Sequence, residues 1–280
     1  MRIVFFILIS IHSIILTAQV DYTFNSLYRT FEEGQSFYIL KDGSTIHAAP
    51  FVTATKLASL RSGTPIRVEE RMDELFKING FRTNWYRIIF DNNGLWAEGY
   101  IWGGDIAVGA FYAKENPDVL FLYGIDEIRL VNRGDYTEES LQLCLYACRN
   151  GRVQDVLRFE AMGTLYTKTQ GRAYGNRGVE MIQDVLEIAF SDGYCGGVAA
   201  TVTVFWDGQQ LHYINLLSNG FSSETFSNRF YIYPAEHKKQ GQIIILKEEA
   251  GSFELNKKVV YTHQLEKQFI WEGKRLKALD

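Results

Sequence analysis

Proline is scarce, with four in 280 residues, and no stretch is low in complexity. That excludes a long disordered linker. Cysteine and histidine are scarce too. Cys144, Cys148 and Cys195 include no Cys-x-x-Cys pair, and His12, His47, His212, His237 and His263 show no ligand-like spacing. No local metal motif results. The glycines of "YCGG" and "WGG" do not follow the strand–glycine–helix plan of a phosphate cradle, so neither metal nor cofactor is expected. Positive charge is in deficit: 29 Lys and Arg face 33 Asp and Glu, a net charge of −4. Nucleic acid, which is held by neutralising phosphates, is excluded as a partner, and so is docking on an anionic membrane surface. Beyond the first twenty residues no apolar run is long enough to span a membrane as a helix, which takes about 20 residues.

What is present begins with a leader. Met1-Arg2 carries one positive charge, Ile3 to Leu16 is almost wholly apolar, and Thr17-Ala18-Gln19 follows. This is the pattern of a secretory signal peptide over residues 1–18, cleaved after Ala18. No cysteine stands near the cut to take a lipid anchor. The expectation is an exported chain, periplasmic or secreted, with no transmembrane span after cleavage.

Residues 19–35 form an N-terminal lead, and from Phe37 the pattern is one of short strands. "SFYILKDGSTIHAAP" places an Asp-Gly turn between two extended pieces, and "KLASLRSGTPIRVEER" does the same around Ser-Gly-Thr-Pro. "NWYRIIFDNNGLWAEGYIW" is two β-rich runs joined by Asp-Asn-Asn-Gly, a strong hairpin signal. In it Tyr86, Ile88 and Phe90 share one face, and Trp85, Arg87 and Ile89 the other. Tyr86, Ile88 and Phe90 are assigned to the core. Five short strands in about 70 residues suggest a small barrel.

The order and spacing of these pieces resemble the bacterial-type SH3 domain, over about residues 36–108. The matching elements are Ser44 to Pro50, Leu60 to Thr64 leading into Ile66-Arg67-Val68, Trp85 to Ile88, and Gly99 to Ile106. His47-Ala48-Ala49 departs from the basic residue and Ser-Gly usual before that proline, and Arg71 to Asn84 reads as an expanded loop. The resemblance implies an export-associated recognition barrel whose ligand is the peptide part of cell-wall peptidoglycan or another envelope ligand. The whole chain also looks like exported SH3-containing proteins of Gram-negative bacteria with a β-rich C-terminal domain.

Residues 109–280 read as that larger antiparallel β domain, a sandwich or bent sheet, so the expected class is all-β. "LQLCLYACRNGRVQDVLRF" admits two readings: strands around a type I′ Asn150-Gly151 turn, or a helix over 136–149 with a capping box at Asp135 and Glu138. The position of the Asn-Gly turn favours strands. Trp206-Asp-Gly-Gln-Gln-Leu and Trp271-Glu-Gly-Lys-Arg-Leu are locally alike and read as two similar hairpins. The chain is too short for many propeller blades.

Exposed rings on a β-scaffold bind peptides or sugars through flat apolar faces. Phe51, Trp85, Tyr100 and Trp102 are the ligand-binding candidates, each of the three barrel-strand rings having core filling as its rival role. The constellation nearest to a catalytic one is Cys195 with His212 and Asn215, in the manner of a papain-like cell-wall hydrolase. A β-branched run follows Cys195 where an activating helix N-terminus would stand, and the Asp-Cys-Ser-Gly motif of those peptidases is lacking. Cys195 and His212 are therefore weak candidates and no enzyme is expected. Cys144 and Cys148 on one strand would lie about 13 Å apart, too far for a bridge. That leaves a disulfide from Cys195 to either of them, or three buried free thiols. A structural envelope protein docking a protein partner is the other alternative. Mass measurement of the exported chain should place its first residue at Gln19; a chain retaining Met1 would mean an uncleaved anchor.

Overall fold

In a computed structural model, the described residues are 25–132, 134–135, 137–161, 163–191, 199–237, 242–253 and 259–279. The fold is all-β and antiparallel, in four sheets. Strand β1 (Asn25–Ser26) precedes a curled half-barrel made of β2 (Ser36–Tyr38), β3 (Ser44–His47), β4 (Lys56–Leu60), β5 (Pro65–Ile78), β6 (Phe81–Asn92) and β7 (Leu95–Trp102). Their order is β2-β5-β6-β7-β3-β4, and a bridge between Ile39 and Ile106 draws the curl inward. Phe37, Ile39, Ile46, Ile66, Val68 and Ile101 fill it, together with Tyr86, Ile88 and Phe90 as expected from the alternation.

Next come β8 (Gly109–Tyr112), β9 (Val119–Asn132), β10 (Thr137–Arg149) and β11 (Arg152–Glu160), ordered β11-β10-β9-β8. Then β12 (Lys168–Ala173), β13 (Asp184–Ser191), β14 (Ala200–Trp206) and β15 (Leu211–Ser218) form a sheet in sequence order, with β1 on its β12 edge. The last sheet holds β16 (Gly220–Phe221), β17 (Thr225–Ile232), β18 (Ile243–Phe253), β19 (Val259–Trp271) and β20 (Leu276–Ala278). Its two edges are strands of only two and three residues, which limits edge-to-edge association.

The sheets are stacked through strand alternation. Leu141, Leu143, Leu145 and Ala147 of β10 pack against Leu186, Ile188 and Phe190 of β13 and Val202, Val204 and Trp206 of β14 in one core. The opposite face of β10 carries Cys144, Tyr146 and Cys148, which join Tyr38, Leu40 and Ala107 at the base of the half-barrel. Residues 137–149 are thus a strand, buried on both sides from Ser140 to Cys148. Two-sided burial removes the polar alternation that would have told strand from helix in the sequence. The outer face of β12–β15 meets the last sheet through Val185, Phe205, Tyr233, Ile244 and Trp271.

Turn chemistry sets the registers. Asn79-Gly80, Asn93-Gly94 and Asn150-Gly151 all have positive φ, the type I′ geometry that matches strand twist. Residues 71–84 correct one expectation: they are no expanded loop but the outer part of a β5–β6 hairpin, with Ile78 paired to Phe81. The pattern was masked by bulges at Val68/Glu70 and Arg71/Leu75, which break the period of two. The hairpin tip rests on β9. Ile128 N–H donates to Asn79 O at 3.3 Å, and a Cβ on Gly80 would stand 2.2 Å from Ile128 O. The paired Trp…Leu motifs are equivalent hairpins. Trp206 pairs with Leu211 and Trp271 with Leu276. Asp207 N–H donates to Gln210 O at 3.3 Å, and Glu272 N–H to Arg275 O at 3.1 Å.

The lead does more than precede the barrel. Leu27 and Phe31 are buried; Arg29 Nη1 donates to Val108 O at 2.6 Å, and Phe31 sits edge-on to Phe37 and Tyr86. One short segment therefore ties the β12–β15 sheet to the half-barrel core.

Cys144 and Cys148 are free and buried; Cys195, the bridge partner considered from the sequence, lies outside the described residues. Cys144 Sγ donates to Gly124 O at 3.6 Å, and Cys148 Sγ lies 3.3 Å from Ser62 Oγ. Burial first, and then the charge of Asp126, pushes the Cys144 thiol up to about 12. Burial also raises Cys148, against the Ser62 bond. Protonated, enclosed thiols are inert. Neither should react with iodoacetamide in the native protein, and both should react in urea without reductant. A position that stays unreactive until reductant is added would mean a bridge forms after all.

Candidate functional site: a cavity on the half-barrel

Glycine and tryptophan build this site together. At Gly104 a Cβ would stand 2.1 Å from the Trp102 ring, so only glycine lets that ring fold over the turn Gly103–Asp105. With the ring down, Asp105 is presented beside the β2–β3 turn. The result is a cavity of ≈310 Å³ whose lining includes Lys41, His47, Val52, Trp85, Trp102 and Asp105. This is at the small end of ligand-sized pockets, roughly 300–1,000 Å³.

Its floor is aromatic. Trp85 is 1% exposed and Trp102 4%. Trp85 meets His47 and Phe76 edge-on at 5.3 and 6.2 Å; Trp102 meets Phe81 at 5.7 Å. These two candidates are thus not open platforms. Apolar neighbours from the β5–β6 hairpin enclose them, and they reach the cavity only as its base. Trp102 Nε1 donates to Phe76 O at 3.3 Å. Trp85 Nε1 is buried and has no hydrogen-bond partner among the described residues, although such a buried donor normally finds one. Phe51 is 45% exposed on the loop after β3. Tyr100, half-buried on β7, is the register partner of His47 and Arg87. Phe51 and Tyr100 are not among the residues lining the cavity, so the four rings do not converge on one surface.

The walls are charged. Lys41 Nζ stands 4.0 Å from Asp105 Oδ1 and 5.7 Å from the Trp102 ring centre, a weak ion pair combined with a cation–π contact. His47 Nδ1 bonds Ala54 O at 3.1 Å, which orients its ring toward Trp85. The arrangement offers a carboxylate, an ammonium and an apolar floor. These groups can hold a peptide-like ligand by a carbonyl and an amine or amide. They do not include a nucleophile with an adjacent base. Lys41 and Asp105 were not singled out in the sequence, because residues so far apart leave no local pattern.

Of the catalytic constellation, Cys195 lies outside the described residues, which place only His212 and Asn215. His212 Nε2 is bonded to Asp207 Oδ2 at 2.7 Å. Burial works against the Asp207 charge, but the His212 bond and the amides of Gln210 and Gln209 outweigh it and hold the carboxyl below its usual range. The pair closes the turn after Trp206. Asn215 Nδ2 donates to Tyr231 Oη at 2.6 Å, away from His212.

Burial pushes the Asp105 carboxyl above the ordinary range, against the pull of Lys41 and then His47. The folded protein therefore keeps this proton to a higher pH than the unfolded chain does. Its stability is undiminished below the unfolded value, falls as pH rises through the folded value, and stays lower beyond it. Asp105→Asn should raise the urea midpoint at about pH 7 and leave it unchanged at about pH 3, where the wild-type carboxyl is protonated in both states. A loss of stability at neutral pH would mean that the Lys41 pair outweighs burial.

Comparison with known proteins adds no identity to this geometry: no family model matches the chain, and neither a curated protein nor a solved structure matches it significantly.

Proposed function

We propose that this is an exported, non-catalytic recognition protein whose half-barrel, residues 36–108, acts as a bacterial-type SH3 module and binds the peptide part of cell-wall peptidoglycan. The observation that carries the reading is the cavity in which Lys41 and Asp105 stand beside the buried floor of Trp85 and Trp102. Burial disfavours the Asp105 charge, and a group that costs stability and faces a cavity is what a binding site retains. A ligand amine or amide satisfies the Asp105 carboxylate, and a peptide carbonyl meets the Lys41 ammonium. The ligand class itself comes from the likeness of Ser44 to Pro50, Trp85 to Ile88 and Gly99 to Ile106 to that domain.

The test is co-sedimentation of the chain from Gln19 onward with purified sacculi, with assay of the supernatant for wall fragments. Retention on sacculi without release is expected, with Asp105→Asn and Lys41→Ala each lowering affinity by about tenfold. Released fragments would make the protein a hydrolase. Retention untouched by both substitutions would remove the cavity from the function, and no retention at all would hand the half-barrel to a protein partner.

A further inference from the structure

The interface between the β12–β15 sheet and the last sheet is apolar at one end only. There Val185, Phe205, Tyr233, Ile244 and Trp271 close it. Toward the other end the same outer face changes character. Strand register sets two transverse rows across it: Arg172–Glu187–Thr203–Asn215 and Gln170–Ala189–Thr201–Leu217. Sheet-on-sheet packing calls for apolar side chains at such positions. Here the sheets stay apart over a cavity of ≈450 Å³, lined among others by Arg172, Tyr174, Glu187, Thr203, Arg229 and Tyr231. A second cavity of ≈560 Å³ adjoins it, sharing Arg172 and Tyr174 and adding Tyr112 and Lys114. The two make one elongated groove.

Its cations fall into two groups. Arg177 is tied to Glu187 at 3.2 Å and to Glu236, and Arg229 to Glu248 at 3.0 Å. Arg172 and Lys114, both exposed, have no carboxylate partner among the described residues. Of the nearby acids, Asp184 Oδ1 accepts the backbone N–H of Lys114 at 3.2 Å and of Gly175 at 2.8 Å. Glu115 lines neither cavity. On a chain of net charge −4, the groove thus holds two uncommitted cations. Rings flank them. Tyr112, Tyr174 and Phe230 are 38%, 39% and 39% exposed, and Tyr174 is braced by the Arg177 guanidinium at 5.1 Å.

We propose that this groove is a second binding site, for a short saccharide bearing carboxylates. Exposed ring faces stack on the C–H faces of sugars. The Thr201 hydroxyl, half-buried on the sheet face, can pair with a sugar hydroxyl. The Arg172 fork matches a planar carboxylate in bidentate fashion, and Lys114 meets a second acidic group farther along. A peptide ligand would instead look for a sheet edge or an apolar slot, and the rows here are polar and lie on a sheet face.

The proposal is independent of the half-barrel cavity and is tested separately, by calorimetric titration of the chain from Gln19 onward with oligogalacturonate, maltotriose and inorganic phosphate. Oligogalacturonate should bind and maltotriose should not. Arg172→Gln and Lys114→Gln should each weaken binding by about tenfold. Both side chains are exposed, and an unchanged near-UV circular dichroism spectrum confirms that each variant is folded. Equal binding of maltotriose would overturn the acidic specificity. Phosphate binding as tightly as oligogalacturonate would reduce the site to a simple anion patch. No binding of oligogalacturonate, or binding indifferent to both substitutions, would overturn the proposal outright.

Discussion

The structure depends on the two-sided burial of β9 and β10. One face of this pair supplies Phe121, Tyr123, Leu143 and Leu145 to the sandwich, and the other supplies Leu120, Leu122, Cys144 and Cys148 to the base of the half-barrel. Each fully buried side chain of this size contributes roughly 1.5–3 kcal/mol, so the pair anchors both neighbours at once. A half-barrel of this size buries only a modest share of its surface by itself. Here it borrows a floor. Gly124 lets Leu40 close on β9, where a Cβ would stand 2.6 Å from the leucine. Ser62 Oγ donates to Leu40 O at 2.7 Å and contacts Cys148.

That anchoring frees the outer surface of the half-barrel for a site. The β5–β6 hairpin, held at its tip by β9, folds Phe76 and Ile78 over Trp85 and Trp102. Burial of the two indoles is therefore the consequence of a long hairpin, and the same hairpin supplies one wall of the cavity through Ile78. The far layers follow a related logic. Val185 and Phe205 close one end of the outer interface, while Glu187, Thr201 and Thr203 on the same strands leave the other end open. A change of residue type along one strand face converts core into groove.

The local features of the chain were readable in advance. The Asn93-Gly94 and Asn150-Gly151 turns, the like hairpins at Trp206 and Trp271, the inward set Tyr86, Ile88 and Phe90, and the all-β class each rest on contacts a few residues apart. The hairpin over 71–84 was not readable, because its bulges hide the alternation. The helix alternative for 136–149 stayed open because burial on both sides leaves no polar face. For the site, Trp85 and Trp102 were found by their chemistry, but Lys41, His47 and Asp105 were not, since nothing local marks residues that meet only across a folded sheet.

The sequence by itself determined where strands turn and which residues alternate, because backbone sterics and side-chain direction act over two to four residues. Tertiary structure alone decided how many faces of each strand are buried, which rings become floor and which stay open, and which distant charges share a cavity. Those outcomes depend on how layers stack, and stacking is a property of pairs of residues far apart in the chain.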